Sequence, residues 1–524
     1  MPSLPPVAVR RPPWFLMVPA SVCAVGVLIP LAYLVFRGLE AEAATLAEAI
    51  FRWRNLVLLK NTLLLSAAVL ALTTLLAMPM AHAVVRPNLP GRRILTLLAV
   101  LPLAVPGYLM AFTLLGLGGQ YGLPARLWGI EMPRLSGFSG AVIALSLANF
   151  PYMFLNLRVG FQRLNPALEE ASQSLGRSAF STFCHVVLPQ LRPSLLAGGL
   201  LVTLHVAGDF GVVGLMRFES FSYALYLEYG VLGDRVYAAW LALMLVVLTV
   251  GLLAVDLVLL GRLRLEPTGG GSVARRPARL GWRALPVYGL FAIVAVAGVV
   301  VPAGAILLWL ARRPETAQAG WLSALLNSVA AALPAALLAT ALAIPVASLA
   351  RRYPSVWSRG LERVAYLGYA VPGLAFALGV VFFCLRTAPW LYQTLTLLVL
   401  AYGLHFLAEA VGPIRSALFV ATPRLEEAAR SLGRGPVATF LLVTLPLLRG
   451  GLVTSAALVF LSTMKELPLA IILSPPGFDT LAANVFSLTS EAMFARAAPY
   501  ALAILLFSAV FVGLLLFRST EEAT

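Results

Sequence analysis

Long apolar runs alternate with short polar segments along almost the whole chain. A helix that crosses a membrane needs about 20 mainly apolar residues, and twelve runs have roughly that length. In the first half they lie near 14–36, 57–84, 94–117, 138–158, 193–216 and 236–261. In the second half they lie near 285–311, 324–349, 362–385, 390–414, 450–474 and 496–517. The pattern predicts an all-α polytopic membrane protein with about 12 transmembrane helices.

A polar stretch interrupts this pattern near the middle of the chain. Residues 263–284 are rich in Gly and Arg, which is typical of a flexible linker. The predicted organisation is therefore a first half at 1–262, a linker at 263–284 and a second half at 285–524, with six spans in each half.

One polar segment occurs twice. Pro166–Arg192 reads PALEEASQSLGRSAFSTFCHVVLPQLR and Pro423–Arg449 reads PRLEEAARSLGRGPVATFLLVTLPLLR, with 16 of 27 positions identical and no gap. Asn165 and Thr422 precede the copies as N-caps, and each copy opens with Pro at the first helical position. Acids follow in the first turn, and a Gly stands where the helix would end. Each copy predicts a short helix, a Gly turn and a second helix that enters the next span through a proline.

The duplication extends beyond this segment. Matching residues lie 266 positions apart earlier in each half: Asn61 and Asn327, Pro79 and Pro345, Pro106-Gly107 and Pro372-Gly373. The separation is 257 at the repeated segment, so the first half holds nine extra residues, which we place in the loop near 118–137. Because each half has an even number of spans in the same order, we expect two parallel six-helix repeats. The four prolines are expected to kink their spans.

Composition and charge narrow the class of protein. Hydrophobic residues make up 60% of the chain and charged residues 11%, whereas a soluble domain has about 25% charged residues. A soluble enzyme is therefore excluded. The net charge of +16 comes almost wholly from arginine, and most arginines fall in loops on the same side as the N-terminus. The positive-inside rule then places both termini, the linker and both repeated segments in the cytoplasm, without any need for nucleic acid as a partner.

The sequence lacks the motifs of a nucleotide-hydrolysing or metal-dependent enzyme. A phosphate-binding P-loop needs a Lys directly after a Gly, but the two lysines, Lys60 and Lys465, follow Leu59 and Met464. There is no HExxH or CxxC motif, and the three cysteines are far apart. We expect no catalytic residues and no cofactor in this chain.

The repeated segment resembles the EAA loop of ATP-binding-cassette (ABC) importer permeases, in which E-A-x-x-x-x-G precedes L-P. In the copies at 165–192 and 422–449, the candidate coupling residues are Glu169, Glu170, Ala171, Gly176, Leu188 and Pro189, and Glu426, Glu427, Ala428, Ala429, Gly433, Leu445 and Pro446. Ser172 stands where the family usually has a second Ala. The resemblance implies a type I ABC importer permease fold with both halves fused. It also implies coupling helices that dock on two copies of a cytoplasmic ABC ATPase, which binds ATP and Mg. The alternative is an amphipathic helix on the membrane surface.

A few ionisable residues fall inside the predicted spans, where charge is costly and marks candidate functional sites. Asp209 lies in the fifth span, and Lys465 and Glu466 lie in the eleventh, where Glu466 aligns with Asp209. The functional interpretation is a translocation pathway or gate. The structural alternative is an acid that caps a broken helix or pairs with Lys465 or an Arg. His205 and Asp209 are spaced i, i+4 and could offer a metal two ligands, but Ser462 replaces the His in the second half. No firm metal site is predicted.

Two segments resemble the iron(III) permeases of this class. Met464–Leu488 carries K-E-L-P before G-F-D-T-L-A, and Gly208–Gly230 carries D-F-G before a Tyr-rich stretch. The resemblance implies alternating-access uptake of Fe(III) across the bacterial cytoplasmic (inner) membrane, with a periplasmic or lipid-anchored binding protein as donor. Thiamine, phosphonate and polyamine permeases share this layout, so those cargoes stay open. A secondary transporter of the major facilitator type is a remote alternative. Its G-x-x-x-D-R loop would stand between spans two and three, where this chain has VVRPNLPGRR.

Overall fold

Helices make up the regular structure of this protein. The computed structural model describes residues 12–40, 43–86, 89–262, 284–312, 320–421 and 423–521. Every regular element in these ranges is helical, which confirms the all-α prediction. The predicted linker lies outside the described residues except for Ala284.

The predicted spans take two forms in the structure. Within the described ranges, eight helices are long and apolar enough to cross a membrane on their own: Trp14–Leu39, Trp53–Val85, Gly137–Arg163, Ala179–Gly208, Arg235–Arg262, Leu285–Arg312, Trp321–Arg352 and Phe494–Glu521. Four bent pairs supply the other runs: Arg92–Ala104 with Gly107–Leu117, Val356–Ala370 with Gly373–Thr387, Leu395–His405 with Leu407–Phe419, and Pro436–Leu447 with Arg449–Met464. If each pair is one span, the twelve predicted spans are all present.

Shorter elements connect or extend the spans. The short α-helices are Ala43–Phe51, Leu123–Trp128, Pro166–Ser174, Gly211–Met216, Phe221–Leu227, Pro423–Ser431, Pro468–Leu473 and Leu481–Ser490. Single turns of 3₁₀ helix lie at Leu101–Ala104 and Pro389–Leu391, and π-helical turns lie at Phe183–Val187, Glu228–Leu232, Val296–Val300 and Phe440–Thr444.

The four prolines that were expected to kink spans behave in two ways. Pro79 and Pro345 lie inside continuous helices. Pro106 and Pro372 instead stand at breaks, where the two helices of a pair meet at 85° and 106°. A residue before proline is driven out of the helical conformation, and Val105 is accordingly extended, with ψ 108°. The bends expected at Pro106 and Pro372 are therefore full breaks of the helix, one at each Pro-Gly.

Contacts between helices divide the chain into two compact units. The first unit comprises Met1–Ala49, Asp234–Leu243 and Leu322–Ala483. Inside it, the first span packs against Val356–Ala370 and Gly373–Thr387. Gly379 permits this close approach, because a Cβ there would stand 2.3 Å from the Pro30 carbonyl oxygen.

The second unit comprises Ile50–Gly233, Met244–Trp321 and Asn484–Thr524. Inside it, Trp53–Val85 packs on Gly137–Arg163, and the seventh span packs on Gly107–Leu117 and on the twelfth span. Trp309 of the seventh span stacks on Phe494, with ring centroids 5.5 Å apart. Each unit thus joins the first span of one sequence half to the second through fifth spans of the other half.

Candidate functional site

The first repeated loop folds as its caps and glycine predict. The helix Pro166–Ser174 begins after Asn165, whose side chain accepts a hydrogen bond from the Ala167 N–H at 3.0 Å. It ends at Gly176, which has φ +81°, in the left-handed region that favours glycine. The Arg177 N–H then donates to the Ser172 carbonyl at 3.2 Å.

The second loop repeats this geometry. The helix Pro423–Ser431 ends at Gly433, which also has φ +81°. The Arg434 N–H donates to the Ala429 carbonyl at 3.2 Å. The predicted N-cap, Thr422, lies outside the described residues. The two loops therefore end in the same backbone turn.

The first acid of each loop anchors the loop to a span. Glu169 pairs with Arg86 at 2.5 Å, directly after the second span, and Glu426 pairs with Arg352 at 3.0 Å, at the end of the eighth span. All four side chains are at most 19% exposed. Neither arginine is among the site residues predicted from the sequence. The repeat offered a signal, because Arg86 and Arg352 are themselves 266 positions apart.

The second acid and the apolar tip of each loop face outward. Glu170 and Glu427 are exposed, as are Ala171 and Ala428. At the turn, Leu175 is 83% exposed and Leu432 is 85% exposed. Large apolar side chains held in water at the tip of an ordered loop are typical of a protein interaction site. Each loop therefore leaves its second acid and the leucine at its tip exposed, while its other acid holds the loop in place.

One substitution inside the loops changes a buried hydroxyl contact. The Ser172 hydroxyl is 3.0 Å from the Thr182 hydroxyl, and both residues are buried. Ala429 occupies the position of Ser172 in the second loop and has no hydroxyl. The matching Thr439 hydroxyl is buried without a hydrogen-bond partner. Ser172 thus does more than fit the space of an alanine.

The spacing from the Gly turn to the L-P pair is the same in both halves, and it has a structural reason. Phe183–Val187 and Phe440–Thr444 form π-helical turns directly before Leu188 and Leu445. A proline cannot donate the usual i to i−4 hydrogen bond, and a π turn widens the helix where Pro189 and Pro446 enter it. The first half continues straight to Gly208, whereas the second half bends by 69° after Leu447.

The two aligned acids inside the spans cap broken helices. The fifth span ends at Gly208, and the Asp209 Oδ1 accepts from the Val212 N–H at 2.7 Å. The eleventh span ends at Met464, and the Glu466 Oε1 accepts from the Leu469 N–H at 3.2 Å. Each acid therefore caps the short helix that follows it. The prediction that His205 and Asp209 share a helix face is wrong, because Asp209 lies beyond the helix in an extended conformation.

These capping acids lie against the Pro-Gly breaks. A Cβ on Gly107 would stand 3.5 Å from the Asp209 Oδ2, and a Cβ on Gly373 would stand 3.0 Å from the Glu466 Oε1. The same contact between two chain breaks thus occurs in each unit. Broken helices whose ends meet inside the membrane are the usual setting of a transporter's central site.

The other two candidates have partners of their own. Lys465 interacts electrostatically with Glu409 of the tenth span. His205 stacks on Tyr152, with ring centroids 4.7 Å apart, and its Nδ1 lies 2.8 Å from the Leu201 carbonyl. No group of three or more His, Cys, Asp or Glu that could hold a metal is found within the described ranges.

Comparison with known proteins places these features in one family. The family described as "Binding-protein-dependent transport system inner membrane component" matches the chain twice, at residues 73–265 and 339–518. Each match contains one of the repeated loops, one Pro-Gly break and one capping acid.

Individual relatives agree with this family. An Fe(3+)-transport system permease protein of Haemophilus influenzae is 31% identical over 97% of this chain and 98% of its own length. A sulfate transport system permease protein of Escherichia coli is 30% identical over 37% of this chain and 69% of its own length. A putative molybdenum transport system permease protein of Bacillus subtilis is 29% identical over 23% of this chain and 54% of its own length. The chain therefore belongs to the binding-protein-dependent inner-membrane permeases of ABC importers, and it carries two copies of the family's transmembrane unit.

Proposed function

We propose that this chain is the permease of an ABC importer for Fe(III), with both transmembrane units in one chain. An extracytoplasmic binding protein delivers the ion, and the chain moves it inward by alternating access. ATP and Mg bind to two copies of a separate cytoplasmic ATPase, and both termini of this chain lie in the cytoplasm. The observation that carries the cargo is the similarity to an Fe(3+) permease over nearly the full length of both chains.

The two repeated loops are the proposed docking sites for the ATPase. The exposed Leu175 and Leu432 provide apolar contacts, and the Arg86–Glu169 and Arg352–Glu426 pairs connect each loop to a span. A buried, paired carboxylate resists displacement, because separating the pair leaves a charge without compensation. Movement of the ATPase therefore passes to the second and eighth spans through these two ion pairs.

Sulfate and molybdate are the second candidate cargoes, because permeases named for them also match. Those similarities cover 37% and 23% of this chain, compared with 97% for the Fe(3+) permease. The test is uptake of radiolabelled Fe(III), sulfate and molybdate by cells that express this chain with its ATPase and binding protein. We expect accumulation of iron alone. Accumulation of either oxyanion without iron would overturn the cargo assignment.

Coupling at the loops can be tested at one glycine with a neighbouring control. Gly433 has φ +81°, whereas Gly435 has φ −66°, and a Cβ at either position would meet nothing within 4 Å. A left-handed conformation costs an L-residue about 1–2 kcal/mol. Gly433→Val should therefore reduce uptake while ATP hydrolysis continues, and Gly435→Val should leave uptake near the wild-type rate. Equal uptake by both variants would remove this loop from the coupling path.

A further inference from the structure

The second unit contains an arginine-lined cavity of about 960 Å³. Its four arginines are Arg126, Arg134, Arg312 and Arg496. All four are exposed, and no carboxylate lies within ion-pair distance of any of them among the described residues. The described part of the cavity therefore carries about four positive charges that no described carboxylate neutralises.

Local contacts hold these arginines at the cavity wall. The Arg126 guanidinium lies over the Trp309 ring at 5.3 Å and over the Tyr121 ring at 5.9 Å from the centroids. Arg312 donates to the Arg126 carbonyl at 3.0 Å. Gly118 lets the loop that carries Arg134 come close, because a Cβ there would stand 2.8 Å from the Arg134 Cα. Stacking on aromatic rings keeps a guanidinium oriented while its N–H groups stay available.

The lining has the composition of a protein interface. Tyr121, Trp309, Phe494 and Met493 accompany the arginines. Aromatic residues, Met and Arg are enriched in protein–protein interfaces, and Lys, Asp and Glu are depleted. A single oxyanion would fill only a small part of about 960 Å³, and exposed arginines bind a small solvated ion weakly. The size and composition therefore favour a protein surface as the occupant.

The cavity lies at the opposite end of the unit from the repeated loop. Gly137–Arg163 begins three residues after Arg134 and ends three residues before Pro166. Its 27 residues span about 40 Å at 1.5 Å per residue. If the loop faces the cytoplasm, the cavity faces outward, where the positive-inside rule disfavours arginine. The loop near 118–137, in which the sequence places nine extra residues, supplies one wall.

The first unit provides a comparison. Its cavity at the corresponding end is lined by Arg37, Arg235 and Arg386, together with Glu40. Glu40 pairs with both Arg37 and Arg386. Arginines that only stabilise an outer loop would be expected to have such a partner. Among the residues that the structure describes, the four arginines of the second unit have no such partner, so their charge is available to a group outside the chain.

We infer that this cavity receives an acidic patch on the extracytoplasmic binding protein. The inference rests on the proposed function, because it needs the repeated loops to face the cytoplasm. The family is binding-protein-dependent, and complementary charge raises the rate and specificity of association. A free Fe(III) ion would be repelled by four arginines, so the cavity acts on the carrier protein and not on the cargo.

The test measures affinity for the binding protein of the same transport system. The chain is assembled with its ATPase in phosphatidylcholine nanodiscs, and the apparent Kd is measured at about 50 and 300 mM salt. We expect R126Q/R134Q/R312Q/R496Q to raise the apparent Kd by about tenfold at low salt and to flatten its salt dependence. Arg386→Gln is the matched control, because Arg386 is also exposed but is already paired with Glu40, and it should change the apparent Kd less than about twofold.

The following outcomes decide whether the cavity docks the binding protein. An apparent Kd for the quadruple variant within about twofold of wild type would overturn the inference, as would an equal effect of Arg386→Gln. A loss seen in phosphatidylglycerol nanodiscs but not in phosphatidylcholine would assign the cavity to lipid headgroups and also overturn it. If the quadruple variant fails to fold, R126Q/R312Q and R134Q/R496Q carry the test. If the wild-type chain assembles with its ATPase while these variants bind normally, only the docking inference fails and the proposed function stands.

Discussion

At the residue scale, the Ser172 hydroxyl is one buried group that the second repeated loop lacks. Ser172 supplies a hydrogen-bond partner for the buried Thr182 hydroxyl, and Ala429 cannot do so for Thr439. A buried hydroxyl without a partner costs about 1–3 kcal/mol, whereas a formed hydrogen bond contributes about 1 kcal/mol net. The two loops have therefore diverged in stability although their backbones match.

This difference gives a pair of opposite predictions. Ser172→Ala should lower the thermal stability of the purified protein by about 1–3 kcal/mol, and Ala429→Ser should raise it by about 1 kcal/mol. Thermal unfolding in detergent measures both. Thr439→Val is the control, because it removes the unpaired hydroxyl and should be neutral or stabilising. A lower melting temperature for Ala429→Ser would mean that the second loop has no room for the new bond.

Glu40 should make stability depend on pH in the acidic range. The hydrogen bond from Arg37 is the largest cause that holds the pKa of Glu40 below its ordinary value of 4.5, and the charge of Arg386 adds to it. Because the folded pKa is lowered, the contribution is complete above the unfolded pKa and is lost as pH falls through the folded pKa. Wild type should have a higher melting temperature than Glu40→Gln at pH 7, and the difference should shrink as pH falls below 4.5, through the lowered pKa of Glu40. A difference that is constant from pH 7 to 3 would contradict this.

At the scale of elements, both halves contain the same kind of helix break inside their spans. Pro-Gly ends one helix, and an acid from another span caps a short helix beside it, at Gly107 with Asp209 and at Gly373 with Glu466. A cap needs an acceptor oxygen but not a negative charge. Asn and Gln therefore keep the cap and remove the charge, which separates the structural role from a role in the pathway.

We predict that Asp209→Asn with Glu466→Gln keeps its thermal stability and loses uptake, because a negative charge near the breaks would attract a cation. Asp209→Ala with Glu466→Ala should lose stability as well, by about 1 kcal/mol for each missing cap. Uptake and melting temperature are measured on the same preparations. If the Asn/Gln variant transports at the wild-type rate, the two acids serve only as caps and the pathway assignment fails.

At the scale of the whole molecule, local patterns proved easier to predict than pairings. The twelve apolar runs and the turns at Gly176 and Gly433 follow from hydrophobicity and backbone preference, which act over a few residues. The Arg86–Glu169 pair joins residues far apart in the chain, and no local pattern distinguishes this arginine from its neighbours. The break at Pro106 was expected only as a kink, because the angle depends on packing against other spans.

The grouping of spans into units was also beyond the sequence. The first and seventh spans each pack with spans of the other sequence half. Apolar helices in a membrane lack the strong polar contrast that directs soluble helices to one neighbour. Their partners are instead chosen by close fits such as Gly379 against Pro30, which a hydrophobicity pattern does not contain. Because each unit draws on both halves, we expect neither half to fold correctly when expressed alone.

At this scale, the presence of two loops in one chain predicts the number of subunits in the transporter. The chain holds two copies of the family's unit and two loops with the same turn, and we propose that each loop docks one ATPase subunit. One chain of 55.8 kDa should therefore assemble with two ATPase subunits. Native mass measurement of the solubilised complex should give the mass of this chain plus twice that of the ATPase. Gly176→Val with Gly433→Val should shift the population toward complexes with fewer ATPase subunits, since it distorts both sites. Two copies of this chain in each complex would contradict the prediction. They would show that one chain with two units does not take the place of two separate permease subunits.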